Sequence, residues 1–155
     1  MKLYETTVHF KTQETIMSFI DLAQERMRDV KQYGAPCVPH VNLGAQAGHT
    51  TTLFDDSTYK NTCCGKPLIV SPLFRGKNSL GVKGGLARTD EIQSKVASIT
   101  PSFLGVDFED KWRGIRQIRP IIFDSIDDRS FYWCMDQMRD MILLTEVPYV
   151  LRVGR

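Results

Sequence analysis

PIIFDSIDDRSFYWCMDQMRDMILLTEVPYVLRV, residues 120–153, carries the pattern that decides the fold. Ile121, Ile122 and Phe123 form an apolar run that stops at Asp124, too short for a helix and apolar on both faces. From Asp128 the spacing changes. Phe131, Met135, Met138 and Ile142 recur at four, three and four, which draws a single stripe along a helix reaching about Thr145. Pro148 breaks that helix, and residues 149–153 (YVLRV) read as a second strand. Strand, helix and strand in this order build a parallel sheet, because parallel neighbours need a long crossover, usually a helix.

The same alternation runs upstream. Residues 3–10 are rich in β-formers (Tyr4, Thr6, Thr7, Val8, Phe10) and are expected to form a short strand. Thr12 is then placed to cap a helix over residues 13–32, whose stripe is Ile16, Ile20, Ala23, Met27 and Val30. Gly34 ends it and Pro36 prevents its resumption. Residues 37–43 (CVPHVNL) read as a strand weakened by Pro39, followed by a Gly/Ala turn and a short helix from Thr50. Leu68, Ile69 and Val70, bounded by Pro67 and Pro72, read as a buried strand. Residues 75–88 (RGKNSLGVKGGLAR) read as a glycine-rich basic loop, and Thr89 as the cap of a helix bearing Ile92, Val96 and Ile99. With no repeat and no composition shift, the expectation is one α/β domain over residues 1–155, a mostly parallel sheet flanked by helices.

Length and composition agree with that class. A chain of 155 residues buries a core without staples, and 42% apolar with 25% charged residues is an ordinary globular balance. A formal net charge of +2 makes the whole molecule a poor attractant for polyanions, so any such site has to come from local clustering. The first ten residues hold Lys2, Glu5 and His9 where a secretory signal needs an apolar core. Cys37, Cys63, Cys64 and Cys134 lack the spacing of a disulfide scaffold and read as idle thiols, so a cytoplasmic setting is expected.

Chemistry concentrates between the strand near residue 41 and the helix near residue 50. A phosphate-binding loop needs a strand to deliver the chain, small residues that let backbone N–H groups approach, and a following helix. It usually adds a Lys at the phosphates and a Ser or Thr hydroxyl for magnesium. Here VNLGAQAGHTTTL, residues 41–53, supplies Gly44, Ala45, Gln46, Ala47 and Gly48, then His49, Thr50 and Thr51.

This segment resembles the Walker A motif of P-loop NTPases, in a shortened spacing similar to the terminase- and helicase-like branch. The resemblance implies that Gly44 and Gly48 are the loop glycines and that Thr50 holds magnesium. His49 stands where that family has Lys, and a neutral imidazole supplies no fixed charge. Residues 121–124 (IIFD) likewise resemble a Walker B strand, implying that Asp124 holds magnesium through water. Ser125 stands where active members carry a catalytic Glu, which leaves Asp127 or Asp128 as candidates to orient a water. Carried over as a whole, the resemblance implies binding of magnesium with ATP or another nucleotide, with hydrolysis weakened or absent. The ordinary alternative is an unrelated α/β protein in which the Gly/Ala stretch is a tight turn.

Other constellations point elsewhere. Lys111, Arg113, Arg116 and Arg119 beside Trp112 form the densest basic cluster and would grip nucleic-acid phosphates, although Asp107, Glu109 and Asp110 nearly cancel it. One of these arginines, or Lys77 or Lys83, could instead lend a nucleotide the charge that His49 lacks. Cys37 and His40 with Cys63 and Cys64 contain no paired Cys-x-x-Cys knuckle for zinc. His9, His40 and His49 fall in no catalytic motif. Phe131, Tyr132 and Trp133 serve a helix core better than a base-stacking platform. Beside the nucleotide binder stand two competing classes: a non-enzymatic interaction or inhibitory protein, such as a viral accessory factor, and a small nucleic-acid binder using residues 111–119.

Overall fold

The computed structural model of the chain describes residues 2–44, 47–65, 67–70, 120–140 and 143–154. Among these residues four strands form one sheet: β1 (His40–Val41), β2 (Leu68–Val70), β3 (Ile121–Asp124) and β4 (Val150–Val153). Their spatial order is β1-β4-β3-β2 and every pairing is parallel, so the last strand in sequence is inserted beside the first. Three α-helices accompany them: α1 (Lys2–Tyr33), α2 (His49–Leu53) and α3 (Asp128–Asp140).

Burial explains the central position of β3 and β4. All four residues of each are buried, as expected for parallel strands covered on both faces. Each fully buried Ile, Leu or Phe contributes about 1.5–3 kcal/mol over an exposed one, so this pair dominates the apolar energy of the sheet. Register places Ile121 beside Val150, Phe123 beside Arg152 and Asp124 beside Val153. Phe123 packs edge-to-face on Phe131 of α3 (centroids 5.3 Å apart), and the Arg152 guanidinium lies over the same ring at 4.8 Å. Phe123 and Arg152 therefore face α3, and by strand alternation Asp124 and Val153 face the other way. The route from β1 to β2 and the route from β3 to β4 run in opposite directions along the sheet. Right-handed crossovers put them on opposite faces, α2 on one and α3 on the other.

Helix α1 extends the expected helix at residues 13–32 in both directions, and its stripe (Ile16, Ile20, Ala23, Met27, Val30) is wholly buried. It packs along β4 and β1. The strand expected over residues 3–10 is instead the first part of this helix. No Gly or Pro separates residues 3–10 from the stripe, and Val8, Thr12 and Ile16 continue it at a spacing of four. Lengthening a nucleated helix then outweighs the modest β preference of Thr and Val. Thr12 accordingly sits inside the helix rather than capping it. Gly34 does end the helix, at φ 81°, with its N–H bonded to the Val30 carbonyl.

Other boundaries moved for local reasons. The strand expected at residues 37–43 shrinks to His40–Val41, because Ala35–Cys37 forms a 3-10 turn and Pro39 has no N–H to give. Pro39 still joins the ladder through its carbonyl, which accepts the Arg152 N–H at 3.0 Å. The last helix gives way to a 3-10 turn at Leu143–Glu146 ahead of Pro148. Cys63 and Cys64, expected as free thiols, are joined in a disulfide, with the Gln24 amide donating to the Cys63 sulfur at 2.9 Å. Scaffold spacing concerns bridges between distant segments, whereas adjacent cysteines close only a small ring in their own turn. Cys37 and Cys134 are free. The glycine-rich loop at 75–88, the helix expected from Thr89 and the basic cluster at 111–119 lie outside the described residues. Among the described residues no helix is long and apolar enough to cross a membrane.

Candidate functional site

At the carboxyl end of β1 the chain turns through the glycine loop into α2. Asn42 starts the turn by accepting the Gly44 N–H on its side-chain oxygen at 2.9 Å. Gly44 and Gly48 adopt φ values of 91° and 76°, which side-chain-bearing residues disfavour. A Cβ at either position would meet nothing within 4 Å, so backbone conformation, not space, requires glycine there. The His49 ring folds back across the loop, and its Nε2 accepts the Leu43 N–H at 3.0 Å. Burial lowers the His49 pKa below its usual value, which keeps the ring neutral and able to accept. His49 is thus a clasp on the loop rather than a charge in it.

Three contacts hold α2 in place. Thr12 of α1 donates to the Ala47 carbonyl at 2.7 Å. Thr58 Oγ1 donates to the Thr52 carbonyl at 2.8 Å, and the Tyr59 hydroxyl to the Leu53 carbonyl at 2.5 Å. The turn carrying Thr58 and Tyr59 is tied back to α1 by Gln13, whose amide reaches Ser57 Oγ at 2.7 Å. In this setting Thr50 Oγ1 lies 2.8 Å from Asp124 Oδ2 and donates to it. Ser125, at φ 57°, donates its own hydroxyl to the other carboxylate oxygen at 3.0 Å.

Asp124 is 0% exposed. Burial raises its pKa, and the hydrogen bonds from Thr50 and Ser125 act in the opposite direction. Among the described residues it receives two hydroxyl donors and no cation. A carboxylate desolvated in this way is costly unless a positive charge joins it. The donor set is all oxygen: one carboxylate and two hydroxyls. That chemistry suits magnesium, which binds one or two carboxylates and completes its shell with phosphate oxygens and water. Among the described residues no group of three or more His, Cys, Asp and Glu side chains gathers into a closed metal site.

The two aspartates considered for water orientation have other partners. Asp127 caps α3: its Oδ1 accepts the Ser130 N–H at 2.7 Å, and its carbonyl takes the Phe131 N–H at 2.9 Å. Asp128 pairs with Arg152 at 2.6 Å, on the face of the sheet opposite the Thr50–Asp124 pair. Thr51 is exposed on α2, while Ala45 and Gln46 lie outside the described residues. Sequence reasoning missed Thr12 and the carboxylate contact of Ser125. A threonine occupying an apolar stripe position, four before Ile16, was the available signal for the first.

The site therefore sets a glycine turn beside a buried carboxylate that meets no cation among the described residues, at the carboxyl ends of β1 and β3 on either side of β4. Ligands in open parallel sheets bind in such crevices, where neighbouring connections leave in opposite directions. Comparison of the chain with protein-family models, with curated proteins and with solved structures returned no match.

Proposed function

We propose that this chain is a P-loop-like domain that binds a nucleotide, or another phosphate ligand, together with magnesium, and that its hydrolytic capacity is weakened or absent. The observation that carries this reading is the 2.8 Å hydrogen bond from Thr50 to the buried Asp124. It joins the helix after a glycine loop to the acidic end of a parallel strand 74 residues away. In this reading backbone N–H groups of the loop from Gly48 onward face the phosphates, the Gly44 N–H being taken by Asn42, and Thr50 and Asp124 hold magnesium. The ion supplies the positive charge that offsets both the phosphates and the carboxylate. ATP is the natural candidate, with a cytoplasmic setting as part of the same proposal.

Weak hydrolysis rests on three residues. Ser125 stands beside Asp124 where the resemblance calls for Glu, and its hydroxyl already donates to that carboxylate. Asp127 and Asp128 are engaged by α3 and Arg152. These engagements also favour the second reading, an interaction or inhibitory protein that keeps the fold without the chemistry.

Calorimetric titration with ATP and GTP, with and without magnesium, separates the two. The nucleotide reading expects magnesium-dependent binding that Thr50→Ala abolishes. Absence of binding at millimolar nucleotide overturns it and leaves the loop as a turn within an interaction module. A steep salt dependence of polynucleotide binding, lost on substitution of Lys111, Arg113, Arg116 and Arg119, would instead mark the nucleic-acid reading.

A further inference from the structure

Thr12 is a polar residue in an apolar stripe, 2% exposed and surrounded by the helix's core positions. A threonine inside a helix ordinarily returns its hydroxyl to the carbonyl four residues back. Thr15, one turn on, does this, donating to the Lys11 carbonyl at 2.9 Å. Thr12 does not stay within its helix. It reaches 35 residues along the chain to the Ala47 carbonyl, at 2.7 Å.

That carbonyl shares a peptide plane with the Gly48 N–H. The plane is trans, and in a trans peptide the C=O and the N–H point in opposite directions. Drawing the Ala47 oxygen toward α1 therefore turns the Gly48 N–H away from α1. Gly48, at φ 76°, is free to accept this orientation because it carries no Cβ. Its carbonyl then receives the Thr52 N–H at 3.0 Å, which starts the helix that carries Thr50.

We propose that Thr12 is a positioning residue of the phosphate loop: its hydroxyl sets the Ala47–Gly48 peptide so that the Gly48 N–H is presented to the ligand's phosphate. This rests on the phosphate-binding reading above and adds α1 to the site. Helix α1 is then part of the binding apparatus, not only cover for the sheet.

The test is calorimetric titration of the full chain with magnesium–ATP, with melting of the ligand-free protein measured in parallel. Thr12→Val keeps the shape and removes the donor, while Thr12→Ser keeps the donor and removes a methyl. The expected result is about tenfold weaker binding for Val, equivalent to about 1.4 kcal/mol, with Ser within about twofold of the parent. Affinity follows the hydroxyl, whatever the melting temperatures do. Should the Val variant fail to fold, Thr12→Ala replaces it in the same comparison. Parent-like binding by Val, in a protein whose binding Thr50→Ala still abolishes, overturns the role of Thr12 and leaves the phosphate site standing. Equal losses for Ser and Val in step with their melting temperatures also overturn it, since packing would then be the cause. A parent chain that binds no magnesium–ATP removes the phosphate reading and this inference together.

Discussion

Two buried charged groups near the carboxyl ends of β3 and β4, Asp124 and Arg152, sit on opposite faces of the same sheet, and they are handled in opposite ways. On the α3 face, Arg152 is buried with its charge balanced: Asp128 pairs with it, the Ile126 carbonyl accepts from it at 3.0 Å, and Phe131 lies beneath it. The pair is lopsided, since the Arg152 side chain is 7% exposed and that of Asp128 78%. On the other face Asp124 is buried with two hydroxyls and, among the described residues, no cation. The first arrangement contains its own counter-charge. Among the described residues the second leaves room for a positive charge, which favours Asp124 rather than Arg152 as the place for a bound cation.

The sharpest way to break the comparison is to remove Arg152. Arg152→Ala should lose about 3 kcal/mol, because the Ile126 carbonyl is left without its donor and the packing on Phe131 is lost. Asp128→Asn should cost less, about 1 kcal/mol, since the amide oxygen can still accept from Arg152 although the guanidinium loses a counter-charge. Urea unfolding measures both, and equal losses would mean that the exposed carboxylate, not the buried guanidinium, holds this corner together.

On the opposite face the sign should reverse. Asp124→Asn is expected to raise the stability of the ligand-free protein by about 1 kcal/mol, because a desolvated negative charge disappears while the Thr50 and Ser125 hydroxyls can rotate to suit the amide. The same variant should lose any stabilisation by magnesium–ATP. A loss of stability in the ligand-free variant would show that Asp124 is a structural acceptor, and the contrast between the two faces would collapse.

The smallest effect concerns Asp127. Its hydrogen bonds to Ser130, by side chain first and backbone second, lower its pKa. A carboxylate with a depressed folded pKa contributes stability that is present above its unfolded value near 4 and is lost as pH falls through the folded one. Asp127→Ala should therefore cost about 1 kcal/mol at neutral pH, the usual worth of an N-cap, and progressively less in acid. Asp127→Asn should retain most of the cap and lose the acid dependence. If nucleotide turnover exists and the Asn variant abolishes it without touching stability, the capping account is insufficient and Asp127 orients water as well.

The elements differ in how legible they were. Strands β2, β3 and β4 and the start of α3 could be read directly, because short apolar runs bounded by Pro or ended by Asp are local signals. The stripe of α1 was legible for the same reason. Its first turns were not: β-forming residues at 4–10 have a local preference that the adjoining helix overrides. In the candidate site, Gly44, Gly48, Thr50 and Asp124 were named through the resemblance to the Walker motifs, and the structure brings Thr50 and Asp124 together. The duties of His49, Asp127 and Asp128 could not, since a clasp, a cap and an ion pair depend on which backbone group or side chain lies opposite. The joined pair Cys63–Cys64 was missed because its bond spans neighbours, outside any spacing rule.

The sequence alone determined the alternation of strands and helices, the two glycines of the loop and the residue types available to a phosphate or a metal, since each follows from local sterics and periodicity. Only the tertiary structure decided that β4 inserts between β1 and β3, that Thr50 meets Asp124 and that Thr12 reaches the loop. Those are contacts between distant parts of the chain. They are selected by which arrangement buries the most apolar surface while leaving the fewest polar groups unpaired, and no local window of residues contains that choice.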